Sequence, residues 1–133
     1  MDRKVYELID SYREAYTEML REWIRIPSVK SGAETGAPFG REVRRMLDRA
    51  ETDARALGFD VRDFDGYACD VTLGGAEEKI AILGHLDVVP VGDGWTKPPF
   101  EALIENGRMY GRGTHDDKGP ALAALFAPSA ARP

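Results

Sequence analysis

Residues 79–89 read KIAILGHLDVV. The run Ile80–Leu83 is apolar without a break, the pattern of a strand covered on both faces rather than one wetted along an edge. Directly after it, His85 and Asp87 stand two residues apart. In extended backbone, residues i and i+2 point to the same side. Their side chains are therefore expected to project together at the carboxyl end of a central strand, where ligands of open α/β sheets bind. A histidine there suits a metal, and a neighbouring carboxylate can hold its second ring nitrogen. The alternative is a histidine merely satisfied by a local carboxylate.

The elements around that strand follow from periodicity. Upstream, residues 3–25 place Val5, Leu8, Tyr12, Tyr16, Leu20 and Trp23 at helical intervals, predicting an amphipathic helix stopped by Pro27 and Ser28. A glycine-rich connection leads to a second helix at about 39–57, with Val43, Met46, Leu47, Ala50 and Leu57 inward and Gly58 as its cap. The period then drops to two in FDVRDF and YACDVTL, with Asp65-Gly66 as a hairpin turn. Downstream, EALIENGRMYG predicts a second hairpin about Asn106-Gly107. DKGPALAALFA predicts a short helix with Pro120 in its first turn. The expected fold is α/β: two helices, a mixed sheet and a short apolar helix.

Composition narrows the partners. In 133 residues, 23 acidic against 18 basic side chains leave a net charge of -5, and no basic stripe calls for nucleic acid. VRRMLDRAETDAR mixes both signs, as a solvated helix face does. No apolar run nears the ~18 residues of a membrane span, and MDRKVYELID has no signal-peptide core. Cys69 is alone, so it is expected to be a small buried residue in a reducing compartment, with the cytoplasm as the default.

The stretch YGRGTHDDKG, residues 110–119, adds the second motif. Neighbouring aspartates repel, and glycines weaken regular structure. Asp117 can cap the helix that follows. Capping leaves Asp116 without a structural task unless it shares a divalent cation with His85, which Gly111 and Gly113 would let it approach. His115 precedes Asp116, so in extended backbone it points the opposite way and is a weak ligand candidate. The spacing and ending of a phosphate loop are absent around GRG. Trp95 and Phe100 are expected to pack their own loop.

Taken together, GHLDVVPVGDGW and GRMYGRGTHDDKGPALAALFA resemble the amino-terminal signature of the dinuclear zinc peptidases and deacylases of the ArgE/DapE/carboxypeptidase G type. Gly92-Asp-Gly-Trp95, Pro99-Phe100, residues 111–120 and the IPSV tract at 26–29 are most similar to the PepV-like dipeptidases. The resemblance implies a catalytic domain represented by residues 1–127, with 128–133 as an irregular tail. It implies that His85 binds one zinc, that Asp116 bridges two, and that Asp87 is the catalytic-site residue orienting the His85 ring. It implies a cis bond between Asp116 and Asp117. It also implies a metal-activated water acting on dipeptides or short peptides, with zinc, cobalt or manganese all acceptable to such donors. In that family the general-base glutamate, the remaining ligands and the lid domain follow the helix near residue 127. The chain therefore reads as truncated, with a half-built site. The competing expectations are a non-catalytic fragment that binds metal weakly or needs a complementing chain, and a helix-rich interaction module without metal.

Overall fold

The computed structural model describes residues 3–130. Helix α1, Arg3–Ile24, and helix α2, Arg41–Ala56, come first. Strands β1 (Asp60–Asp63) and β2 (Cys69–Thr72) form one antiparallel hairpin, and β3 (Leu103–Glu105) and β4 (Arg108–Tyr110) form another. Helix α3, Lys118–Ala130, completes the order. Among the described residues, no helix is long and apolar enough to cross a membrane.

Local chemistry sets most boundaries. α2 ends in a two-bond glycine cap: the Gly58 N–H reaches the Arg55 carbonyl at 2.9 Å and the Phe59 N–H reaches that of Ala54 at 3.0 Å. Gly58 has φ 83°, a conformation glycine adopts without a Cβ clash. Asn106 and Gly107, with φ 52° and 72°, make the two-residue turn between β3 and β4 that matches strand twist.

The core lies between α1, α2 and α3. Leu20, Trp23, Ile24, Ile26, Met46, Ala50, Leu122 and Phe126 are buried together, and Tyr12 and Tyr16 meet the Phe126 ring edge to face. Trp23 Nε1 donates to Asp53 Oδ2 at 2.7 Å, and Arg49 holds the same carboxylate, so α1 and α2 are locked by a satisfied polar contact as well as by packing. The amino-terminal turns of α1 depart from the expected pattern. Val5 and Leu8 are exposed, because no element covers that end of the stripe.

α3 joins this core through a residue that periodicity does not single out. Lys118 is fully buried, and its Nζ donates to the carbonyls of Trp23 at 2.9 Å and Ile26 at 2.7 Å. These carbonyls lie where α1 ends, the negative pole of that helix. Burial nevertheless pushes the Lys118 ammonium down to about 8. A second tie runs from the Tyr16 hydroxyl to the Gly119 carbonyl at 3.0 Å.

Four expectations are corrected. The run Ile80–Leu83 is not a buried central strand. It pairs with no strand among the described residues, and Ile80 is 94% and Leu83 91% exposed. Such a strand needs a neighbour on each side, and β1–β2 and β3–β4 pair only within themselves. The sheet is accordingly not one mixed sheet but two antiparallel hairpins, with a parallel bridge between Val29 and Val88. Helical structure continues past residue 127 through Pro128 to Ala130, so 128–130 are not irregular, and 131–133 lie outside the described residues. Cys69 is half-buried rather than buried; desolvation raises its thiol pKa, and Glu51, Asp63 and Asp70 add to the rise.

Two outcomes are expected. Lys118→Ala leaves a void where a long side chain was buried and costs about 2–4 kcal/mol in urea unfolding. Between about pH 8, where the folded chain releases the Lys118 proton, and about 10.4, where the unfolded chain does, the unfolded state holds more protons. Stability contributed by this residue therefore rises with pH across that window, and Lys118→Met abolishes the rise. Separately, Ile80→Asp with Leu83→Asp changes unfolding free energy by less than about 0.5 kcal/mol, as exposed positions do. The same pair reduces self-association in sedimentation velocity, because it removes exposed apolar surface.

Candidate metal centre

His85 and Asp116, 31 residues apart, meet. His85 Nε2 lies 3.0 Å from Asp116 Oδ1. The other ring nitrogen, Nδ1, is 3.1 Å from the Asp87 carbonyl oxygen and 3.4 Å from Asp87 Oδ1. Asp87 therefore holds the ring, chiefly through its carbonyl. His115 is exposed, as are His85 and Asp116.

These contacts fix what the ring can do. A carbonyl oxygen only accepts, so Nδ1 carries a hydrogen and donates to Asp87. In the neutral imidazole, Nε2 then presents a lone pair to the lone pairs of Asp116. Two acceptors 3.0 Å apart call for something electropositive between them: a proton on Nε2 or a cation. Zinc ligation distances of about 2.0–2.2 Å from nitrogen and oxygen suit that separation. Desolvation lowers the His85 pKa. The hydrogen bond to Asp87, the Asp116 carboxylate, and the charges of Asp87 and Asp117 outweigh it and hold the imidazole above its ordinary value.

Among the described residues, no group of three or more His, Cys, Asp or Glu side chains converges as a metal site would. The pair could offer two metal donors, and His85, with Asp87 and Asp117, lines a cleft of about 1120 Å³ whose walls include Leu47, Phe59, Val71, Ile82 and Ala124.

Two further residues bond to the backbone at or beside His85. Ser28, fully buried, donates from Oγ to the Leu86 carbonyl at 2.7 Å, and its own carbonyl accepts the Val88 N–H at 3.0 Å. Only the IPSV resemblance pointed to it. Asp117 opens α3 by accepting the Ala121 N–H at its carbonyl, 2.8 Å, but its carboxylate takes the His85 backbone N–H at 3.0 Å. The bond between Asp116 and Asp117 is cis, as the resemblance implied. Trp95 packs its own loop as expected, donating to the Val91 carbonyl at 2.8 Å, with the Arg112 guanidinium over its ring.

Residues 81–132 match the model of peptidase family M20/M25/M40. A putative dipeptidase, YtjP, from Bacillus subtilis (strain 168) is 44% identical over 109 residues, 80% of this chain and 24% of its own length. A Beta-Ala-Xaa dipeptidase from Lactobacillus delbrueckii subsp. lactis is 39% identical over 129 residues, 95% of this chain and 27% of its own. The crystal structure of human carnosine dipeptidase 1 superposes with a TM-score of 0.75 at 30% identity, covering 96% of this chain and 30% of that one. The chain thus spans about a quarter of the length of the curated relatives it matches. The match to peptidase family M20/M25/M40 over residues 81–132 is thus joined by sequence agreement with dipeptidases, and by backbone agreement with one, over most of this chain.

Proposed function

We propose that these residues supply one part of the metal centre of a dipeptidase, acting on dipeptides or short peptides in the cytoplasm. His85 and Asp116 are its metal ligands, and Asp87 keeps the His85 ring in the tautomer that leaves Nε2 free to bind. The observation that carries this reading is the facing of Nε2 and Asp116 Oδ1 at 3.0 Å while Nδ1 is committed to Asp87. Peptide substrates are inferred from the dipeptidase relatives.

When bound, zinc or a similar divalent ion supplies a Lewis acid for the scissile carbonyl and lowers the pKa of water to about 7. The chain's own contribution is to hold the donors. Asp87 fixes the ring, and Ser28 holds the backbone on both sides of Asp87.

A second reading is favoured by the donor count. Catalytic zinc sites usually keep three protein ligands, and the described residues bring two together. By itself this chain then binds metal weakly and hydrolyses little, and it needs donors from elsewhere to turn over peptide.

Zinc titration by calorimetry, with cobalt spectroscopy alongside, checks the ligand assignment. His85→Ala and Asp116→Ala should each abolish specific binding, whereas His115→Ala leaves it unchanged. Asp87→Ala should weaken binding about 10–100-fold, as loss of a ligand-orienting partner does. Unchanged binding in His85→Ala would refute the assignment. Dipeptide hydrolysis by the zinc-loaded chain, abolished in Asp116→Ala, would decide between the two readings in favour of the enzyme.

A further inference from the structure

We infer that Asp117 is a positioning residue for His85, gripping its backbone so that the imidazole keeps its approach to Asp116. This rests on His85 and Asp116 being the metal ligands.

The two adjacent aspartates hold the two halves of one residue. Asp116 faces the ring at Nε2, and Asp117 Oδ2 accepts the main-chain N–H at 3.0 Å, 32 residues away in sequence. A hydrogen bond to an ionised carboxylate is about twice as strong as one between neutral groups. It matters here because the segment around His85 lacks strand partners. The neighbouring ties, from Ser28 to the Leu86 carbonyl and the Val88 N–H, begin one residue after His85. Asp117 acts at His85 itself.

The approach is built into the backbone on both sides. A Cβ at Gly84 would stand 3.0 Å from Asp117 Oδ2 and 3.2 Å from the Ala121 Cβ, so the absence of a side chain there lets the chain pass this close to α3. On the other side, Asp117 is followed by Lys118, whose buried ammonium holds the end of α1. Asp117 is therefore a fixed point, and His85 is the part that would move.

The test compares Asp117→Ala, which removes the acceptor, with Asp117→Asn, which keeps one of the same reach. Two readouts are taken: hydrogen exchange of the His85 amide in metal-free chain, and zinc affinity by calorimetry. Asp117→Ala should speed His85 exchange by about tenfold or more, the factor carried by a hydrogen bond to a charged group, and weaken zinc binding about 10–100-fold. Asp117→Asn should retain part of both, since its amide oxygen still accepts, about half as strongly as a carboxylate. Gly84→Ala, which crowds the carboxylate while leaving Asp117 in place, should move both readouts in the direction of Asp117→Ala and serves if that variant fails to fold. Unchanged His85 exchange in Asp117→Ala or Gly84→Ala overturns the inference, as do equal losses in Asp117→Ala and Asp117→Asn. If His85→Ala binds zinc normally, the ligand assignment has failed instead, and the exchange readout still decides whether Asp117 holds His85.

Discussion

The buried ammonium of Lys118, set against the carbonyls of Trp23 and Ile26, is the contact on which the arrangement depends. A cation in the first turn of α3 is unfavourable for that helix, whose amino-terminal pole is positive. The opposite pole, the carboxyl end of α1, lies directly against it and offsets part of that cost and of the cost of burial. One side chain thus satisfies the end of one helix and fixes the start of another. The Tyr16–Gly119 hydrogen bond and the packing of Phe126 on Tyr12 and Tyr16 extend the same junction along α1. Asp116 and Asp117 immediately precede this anchor, so the best-packed part of the core sets their position.

His85 is held differently. Its segment carries the exposed Ile80, Ile82 and Leu83 and has no strand neighbour among the described residues, so backbone pairing contributes little before the Val29–Val88 bridge. Side chains do the holding: Ser28 from the end of α1, and Asp117 from the start of α3. Both tethers come from elements that Lys118 joins. A loosened junction would therefore displace Asp116 together with the supports of His85. Coupling of this kind through shared partners makes substitutions at 28, 117 and 118 non-additive.

Much of this is legible in the sequence. Helical spacing located α1 and α2, the Gly58 cap marked where α2 stops, and Asn106-Gly107 fixed the second hairpin. The facing of His85 and Asp116 followed from asking why a chain would place two carboxylates together. Ile80–Leu83 was misread because an apolar run states a requirement for cover, and periodicity cannot say whether neighbours are present to meet it. Lys118 was missed because its partners are backbone carbonyls 92 and 95 residues away, which leave no mark in side-chain pattern. A signal did exist. A lysine in the first turn of an otherwise apolar helix opposes that helix's dipole and so requires an acceptor from outside.

Under the proposed metal centre, a divalent ion would suit the charge balance around His85 better than a proton. Asp87, Asp116 and Asp117 all bear on one imidazole, through its ring or through its backbone. With a neutral ring, the group carries three negative charges. A proton on Nε2 offsets one of them and satisfies a single oxygen of Asp116. A doubly charged ion offsets two, and it accepts lone pairs from Nε2 and the carboxylate simultaneously. Repulsion between adjacent aspartates, which would otherwise count against the DDK segment, becomes the source of the attraction. Their partners keep them from competing for it, since the carboxylate of Asp117 is engaged by the His85 N–H while Asp116 stays open. The division of labour between two chemically identical neighbours therefore comes from what each is bonded to.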